Sequence, residues 1–319
     1  LGRRARDSRS DPRTLSHEQP MTATTKKAKI IRRTIWGSGL AIALALALWA
    51  TGKSESGAPL AAIAGVLGLL GCYELTTMGA LRTFRIATPL LAAGLISLLV
   101  SFESGGLLPE FLATPVAKNF TPYFALILLI VPALLTLIPR GASPFSLSLR
   151  MVAAGGLSLW VGYAFGVMHV LWDARGVQGM GQSSFVCLLV LSKIGDIAGY
   201  YVGSAIGKSH PFKKISPGKT TAGCNASLLV SMGTAVLMVQ AGWLVPDYDP
   251  LWAGAAFGAV INLAAQAGDL FESWIKRRSG VKDSGTWFGP SGGVLDLVDS
   301  LLFTIPVALL TWPFLLGLG

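Results

Sequence analysis

Long apolar runs recur through the whole chain and leave few folds open to it. Stretches near or above the ~18 residues needed to cross a hydrocarbon core fall at 35–50, 58–80, 87–101, 121–139, 151–172, 183–205, 224–243, 251–271 and 294–318, between short polar or Pro/Gly-rich connections. The first and third are short. A strand left open in lipid leaves its backbone polar groups unpaired, and these runs lack the period-two alternation of an outer-membrane barrel. The expectation is an all-α, polytopic integral membrane protein with about nine transmembrane helices. Composition agrees, since 52% of residues are hydrophobic and 13% charged, against the ~25% charged share of a soluble domain.

Basic residues orient the helices, because Lys and Arg in short loops stay on the cytoplasmic side. With the N-terminus cytoplasmic, the inward segments hold the basic tail, Arg82, Arg85, Arg140, Arg150, Lys208, Lys213, Lys214, Lys219, Lys276, Arg277, Arg278 and Lys282. The outward connections hold Lys53, Lys118 and Arg175. This alternation supports an N-in, C-out chain. Inward loops facing anionic membrane lipids also account for the net charge of +10, so no nucleic acid is expected as a partner. Cys72, Cys187 and Cys224 are scattered, as are His17, His169 and His210, and give neither a disulfide framework nor a metal-ligand spacing.

Three regions follow. Residues 1–34, rich in charge and carrying Pro12 and Pro20, read as a disordered basic cytoplasmic tail in which Met21 is a candidate start. Residues 35–172 read as an N-terminal transmembrane scaffold whose main buried charge, Glu74, is expected to pair locally or snorkel. Residues 173–319 differ in kind and form the expected catalytic domain, with cytoplasmic loops 206–223 and 272–293.

On the eighth run Asn262, Gln266, Asp269, Ser273 and Lys276 share one helical face. An Asp at a helix centre costs about 2.5–3.5 kcal/mol on insertion scales, so this stripe must face protein, water or ions. Lys193 and Asp196 stand one turn apart on the sixth run, as an internal ion pair or as part of a site. Asp296 and Asp299 open the ninth, as site residues or as acids at a helix N-terminus. The two loops combine Lys or Arg with Ser, Thr and Gly, a mixture suited to phosphate oxygens. The first lacks the glycine spacing of a Walker A loop. Asp269 and Asp283 flank the basic run at 276–278, and carboxylates beside phosphate-binding cations are the usual means of holding Mg2+. Phosphoryl or nucleotidyl transfer is the chemistry indicated.

The run Ser273-Trp-Ile-Lys-Arg, Lys282-Asp283-Ser-Gly, Phe288-Gly-Pro-Ser291-Gly-Gly-Val-Leu-Asp296-Leu-Val-Asp299 resembles the signature of the phosphatidate cytidylyltransferase (CDP-diacylglycerol synthase) family. Gly268-Asp269-Leu270, Ile215-Ser-Pro-Gly-Lys-Thr220 and Asp196 with Tyr200 are similar to its upstream motifs, the likeness covering roughly residues 190–300. The resemblance implies an integral enzyme of the inner (cytoplasmic) membrane, its site facing the cytoplasm, that makes CDP-diacylglycerol and pyrophosphate from CTP and phosphatidate in phospholipid biosynthesis. It implies Mg2+, with a second cation left open, and a homodimer. By the same likeness Asp269 and Asp283 hold the metal. Ser216, Lys219, Thr220 and Lys282 contact the nucleotide, Lys276 and Arg277 meet phosphates, Asp296 and Asp299 complete the pocket, and Asp196 and Ser273 are further polar members.

The chain departs from the family pattern at Ile197, at Thr221-Ala222-Gly223, at Ser291 where the family has His, and at Leu297 where it has Arg. Losing an arginine from a phosphate site removes a bidentate donor. A related CTP-using enzyme on another lipid, such as a polyprenol kinase or an ether-lipid phosphate cytidylyltransferase, is one alternative. A non-catalytic transporter is another.

Overall fold

The computed structural model describes residues 58–78, 182–244, 250–288 and 292–316, with isolated positions between 35 and 49 and at 161 and 164. The basic tail, the runs expected at 87–101 and 121–139, and most of those at 35–50 and 151–172 lie outside the described residues. Those described are helical and include no strand. The elements are α1 (Ala58–Thr77), α2 (Gln182–Ile206), α3 (Thr221–Gln240), α4 (Leu251–Arg278), α5 (Val294–Val298) and α6 (Leu301–Leu315). Among the described residues four segments are long and apolar enough to cross a membrane: Phe185–Ile206, Thr221–Gln240, Leu251–Arg278 and Val294–Trp312. The chain is an integral membrane protein whose described residues are helical.

Helices α2, α3 and α4 pack in sequence, α6 lies against α4, and α1 meets α5. Small residues bring α2 and α3 together. A Cβ on Gly199 would stand 3.0 Å from the Gly223 carbonyl oxygen, and one on Gly223 would stand 3.3 Å from Gly203 Cα, the close approach that small residues allow between helices in lipid. In the core Trp312 of α6 meets Phe257 of α4 edge-on at 5.3 Å, with Ile261, Leu188 and Leu191 buried around them. Leu229, Leu237, Leu263 and Phe314 are exposed, as lipid-facing side chains are.

The helix boundaries differ from expectation for local reasons. α3 begins at Thr221 rather than 224, because Thr220 caps it: its extended backbone lets the side-chain oxygen accept the Gly223 N–H at 3.1 Å. α4 runs past the end of the apolar run at 271 to Arg278, and so includes Ser273 and Lys276 of the polar face. Its last turn carries Lys276, Arg277 and Arg278, where the helix dipole favours cations. It closes on Gly280, whose φ of +76° is open to glycine. There the Val281 N–H reaches the Lys276 carbonyl and the Gly280 N–H that of Arg277. The run expected as one span at 294–318 is two helices, interrupted at Asp299 and Ser300, where the Asp299 carboxylate accepts the Ser300 N–H at 2.6 Å.

Candidate functional site

A cavity of about 830 Å³ opens among α2, α3, α4, the α5–α6 break and the loop that joins α2 to α3. Its lining draws acids from three elements: Asp196 from α2, Asp269 from α4, and Asp296 and Asp299 from α5 and the break that follows. The loop adds Ser216, Lys219 and Thr220. These residues are far apart in sequence, so the site exists only when the helices have packed.

Two lysines temper the acids. Lys219 lies 2.5 Å from Asp269. Lys193, near the middle of α2, donates to the Ser300 hydroxyl at 2.7 Å and stands 3.6 Å from Asp299. For Lys193 and Asp196, open to reading as an internal ion pair or as part of a site, the structure puts both in the cavity lining, and Lys193 makes its closest contacts with the α5–α6 break. The Asp269 and Asp299 carboxyl groups themselves come within hydrogen-bonding reach of each other. Ser216 and Asp196 line the cavity, and Thr220 combines a lining position with its cap.

Other candidates stand elsewhere. Lys276 is buried and bridges two carboxylates, Glu272 and Asp296, each at 2.5 Å, so its ammonium is engaged within the protein. Arg277 is exposed and donates through Nε to the Ile215 carbonyl at 3.4 Å, tying the end of α4 to the first loop. Lys282 and Asp283 are exposed, and with Ser273 they are outside the cavity lining. The pairing of Asp269 with Asp283 therefore does not arise in the cavity, where the carboxyl facing Asp269 is that of Asp299. Residue 291 lies outside the described residues. Leu297 packs against the hydrophobic core.

The upper part of the polar stripe on α4 is a network facing protein. Asn262 donates to the Ser227 and Ser231 hydroxyls at 2.7 and 3.0 Å, and Gln266 donates to the Asn262 side-chain oxygen at 2.6 Å and to the Cys224 carbonyl at 3.3 Å. These bonds tie α3 to α4 beneath the cavity. Two buried acids were missed or misread from sequence. Glu272 was overlooked, although its spacing of one turn from Lys276 marks a helical pair. Glu74 neither pairs locally nor snorkels: it is fully buried and bonds to Ser284, Val294 and Leu295.

The model of the cytidylyltransferase family matches residues 31–315. The chain belongs to the cytidylyltransferase family. Among its relatives, a phosphatidate cytidylyltransferase of Brucella suis biovar 1 is 33% identical over 202 residues, 57% of this chain and 70% of that protein. A phosphatidate cytidylyltransferase of Bacillus subtilis is 28% identical over 246 residues, 75% of this chain and 83% of that one. An uncharacterised Escherichia coli K12 protein, YnbB, is 36% identical over 152 residues, and the chain spans 49% of its length.

A cytidylyltransferase of this kind calls for a divalent cation, and the donor set can be weighed against that need. Among the described residues no group of three or more His, Cys, Asp or Glu could hold a metal ion. Mg2+ asks for less, being bound as a rule by one or two carboxylates together with substrate phosphates and water. Two adjoining carboxyl groups in the lining of the cavity, together with Ser216 and Lys219 of a phosphate-suited loop, fit that demand.

Proposed function

We propose that the protein is a CTP-dependent cytidylyltransferase that makes CDP-diacylglycerol and pyrophosphate from CTP and phosphatidate in phospholipid biosynthesis. The observation that carries this reading is the meeting of Lys219, from a Ser/Gly/Lys loop, with Asp269, from the polar face of a membrane-crossing helix, in one cavity. The reading requires a phosphate-binding group and a carboxylate pair where a water-soluble nucleotide and a lipid headgroup can meet, and this contact supports it.

In the proposed reaction a phosphate oxygen of the lipid attacks the α-phosphorus of CTP, and the bond to the departing pyrophosphate breaks. Ser216 and Lys219 receive the nucleotide's phosphates through a hydroxyl and an ammonium group. Asp269 and Asp299 would hold Mg2+, which would supply positive charge against the negative charge gathering on the phosphates. Lys193 keeps Asp299 in place, Asp196 completes the acidic wall, and the packed helices exclude bulk water. Asp283 and Lys282, exposed on the loop after α4 and outside the cavity lining, are given no role in this arrangement. A nine-helix, N-in arrangement in the inner membrane, with the cavity towards the cytosol, is the topology that the basic loops support.

A second reading, the same chemistry on another lipid phosphate, is favoured by Leu297, which presents an apolar side chain where the family signature has arginine. Incorporation of radiolabelled CTP into lipid, run over phosphatidate, ether-lipid phosphates and polyprenols, decides between the two. Pyrophosphate release with phosphatidate is expected. Release of CDP instead would identify a kinase, and no CTP consumption with any acceptor would sink the enzymatic reading.

A further inference from the structure

Glu74 lies outside the cavity, in the part of the chain expected to be scaffold, yet its carboxylate is fully buried and fully used. Oε1 accepts the Val294 N–H at 2.8 Å, and Oε2 accepts the Leu295 N–H and the Ser284 hydroxyl, both at 2.9 Å. Val294 and Leu295 open α5, and N–H groups in a first turn have no partner within their own helix. Among the described residues no Lys or Arg pairs with Glu74. A carboxylate buried against neutral donors alone is a costly way to fill space, but it fixes three donors in one geometry.

These contacts lead to the acidic end of the cavity. The Ser284 hydroxyl, within 2.9 Å of Glu74, also stands 2.7 Å from Asp296 Oδ2, and that same oxygen accepts the Ser284 and Gly293 N–H groups at 2.9 and 2.8 Å. The other Asp296 oxygen holds Lys276. One turn further along, the chain presents Asp299 to Asp269. Two glycines leave room for the arrangement. Gly293 has extended backbone (φ −94°, ψ −172°) that any residue can adopt, but a Cβ there would collide with both Glu74 oxygens and with Ser284 Oγ. A Cβ on Gly285 would likewise strike the Glu74 carboxylate.

We infer that Glu74 is a positioning residue for the reaction: it clamps Ser284 to the start of α5, and so sets where Asp296 and Asp299 stand in the cavity. The first described helix is then part of the catalytic unit rather than passive scaffold. This inference rests on the cytidylyltransferase reading above.

The test uses the full chain in lipid nanodiscs and the variants Glu74→Gln, Glu74→Ala, Gly293→Ala and the double variant Glu74→Ala/Gly293→Ala. Hydrogen exchange by mass spectrometry should show faster exchange confined to residues 284–299 in the Glu74 variants. Binding of Mn2+ with a non-hydrolysable CTP analogue, followed by electron paramagnetic resonance, should weaken roughly 10- to 100-fold, as when an outer partner of a metal ligand is removed. Turnover should fall in kcat with little change in KM for the lipid phosphate. Gly293→Ala should reproduce the defect, and the double variant should recover part of it, because the methyl group enters the space the carboxylate has left. Wild-type exchange across 284–299 in Glu74→Gln and Glu74→Ala, or exchange raised alike throughout the protein, would overturn the inference. If the wild-type chain consumes no CTP, the cytidylyltransferase reading fails, while the exchange measurement still decides whether Glu74 clamps the segment.

Discussion

The Lys219 ammonium and the Asp269 carboxylate stand 2.5 Å apart on the cavity wall, one supplied by a loop and the other by a helix. On the proposed reading a phosphate entering the cavity would meet a lysine already paired with an acid, and the acid would be freed for a cation when the lysine turned to the phosphate. Lys219→Met should therefore weaken both CTP binding and turnover. A fall in kcat/KM of about 100-fold is expected, the scale of a lost charge-stabilising donor, with Lys219→Arg recovering part. Steady-state kinetics on the purified variants checks this.

The carboxyl groups can be ranked by position. Asp269→Asn and Asp299→Asn remove donors that face each other in the cavity, whereas Asp283→Asn alters an exposed loop residue outside its lining. Turnover should drop by at least about 100-fold in the first two, and by less in the third. Equal losses in all three would mean that Asp283 joins the cation during the reaction.

Lys276 makes a different prediction, because it is buried between Glu272 and Asp296. Lys276→Met leaves two acids without their cation and should cost about 3–5 kcal/mol of stability, as removal of one member of a buried ion pair does. Adding Glu272→Gln should restore part of the loss. Arg277→Ala, at an exposed site, should leave the unfolding midpoint nearly unchanged. Thermal unfolding in detergent separates these outcomes.

Metal removal should affect the reaction more than the fold. A cation held by two carboxylates and by substrate phosphates binds weakly until the nucleotide is present. EDTA should abolish CTP turnover, and added Mg2+ should restore it. Without CTP the unfolding midpoint should be the same with EDTA or Mg2+. With CTP, Mg2+ should raise it, because a ligand bound to the native state stabilises that state.

Asn262→Leu probes the network beneath the cavity. It strips the Ser227 and Ser231 hydroxyls and the Gln266 amide of a shared partner. The expected cost is about 1–2 kcal/mol, in the range for hydrogen bonds between membrane helices. Unfolding in mixed detergent micelles measures it.

The helices around the cavity were legible because apolar run length is a strong signal, and the stripe on α4 because residues at helical spacing share a face. Partnerships between helices were not. Nothing in the neighbourhood of Lys193 indicates that its contacts are Asp299 and Ser300, since that depends on how two distant helices are rotated against each other. Asp269 and Asp196 were recognisable as acids in an apolar setting, but the separation of Asp299 from Asp283 requires the path of the chain after α4. While α6 runs through Pro306, the last run, read as one span, is broken at Asp299 and Ser300. There polar contacts to α2, rather than backbone chemistry, decide the outcome.

The interruption between α5 and α6 ties the enzyme to bilayer thickness. α6 has 15 residues, or about 22 Å at the rise of an α-helix, which is shorter than the roughly 30 Å hydrocarbon layer. The segment crosses only if the break lies within the layer, and Asp299 meets Lys193 near the midpoint of α2. Lengthening the acyl chains of the host lipid would bury that acid further from the headgroups, so the reaction should run fastest in one narrow range of chain length.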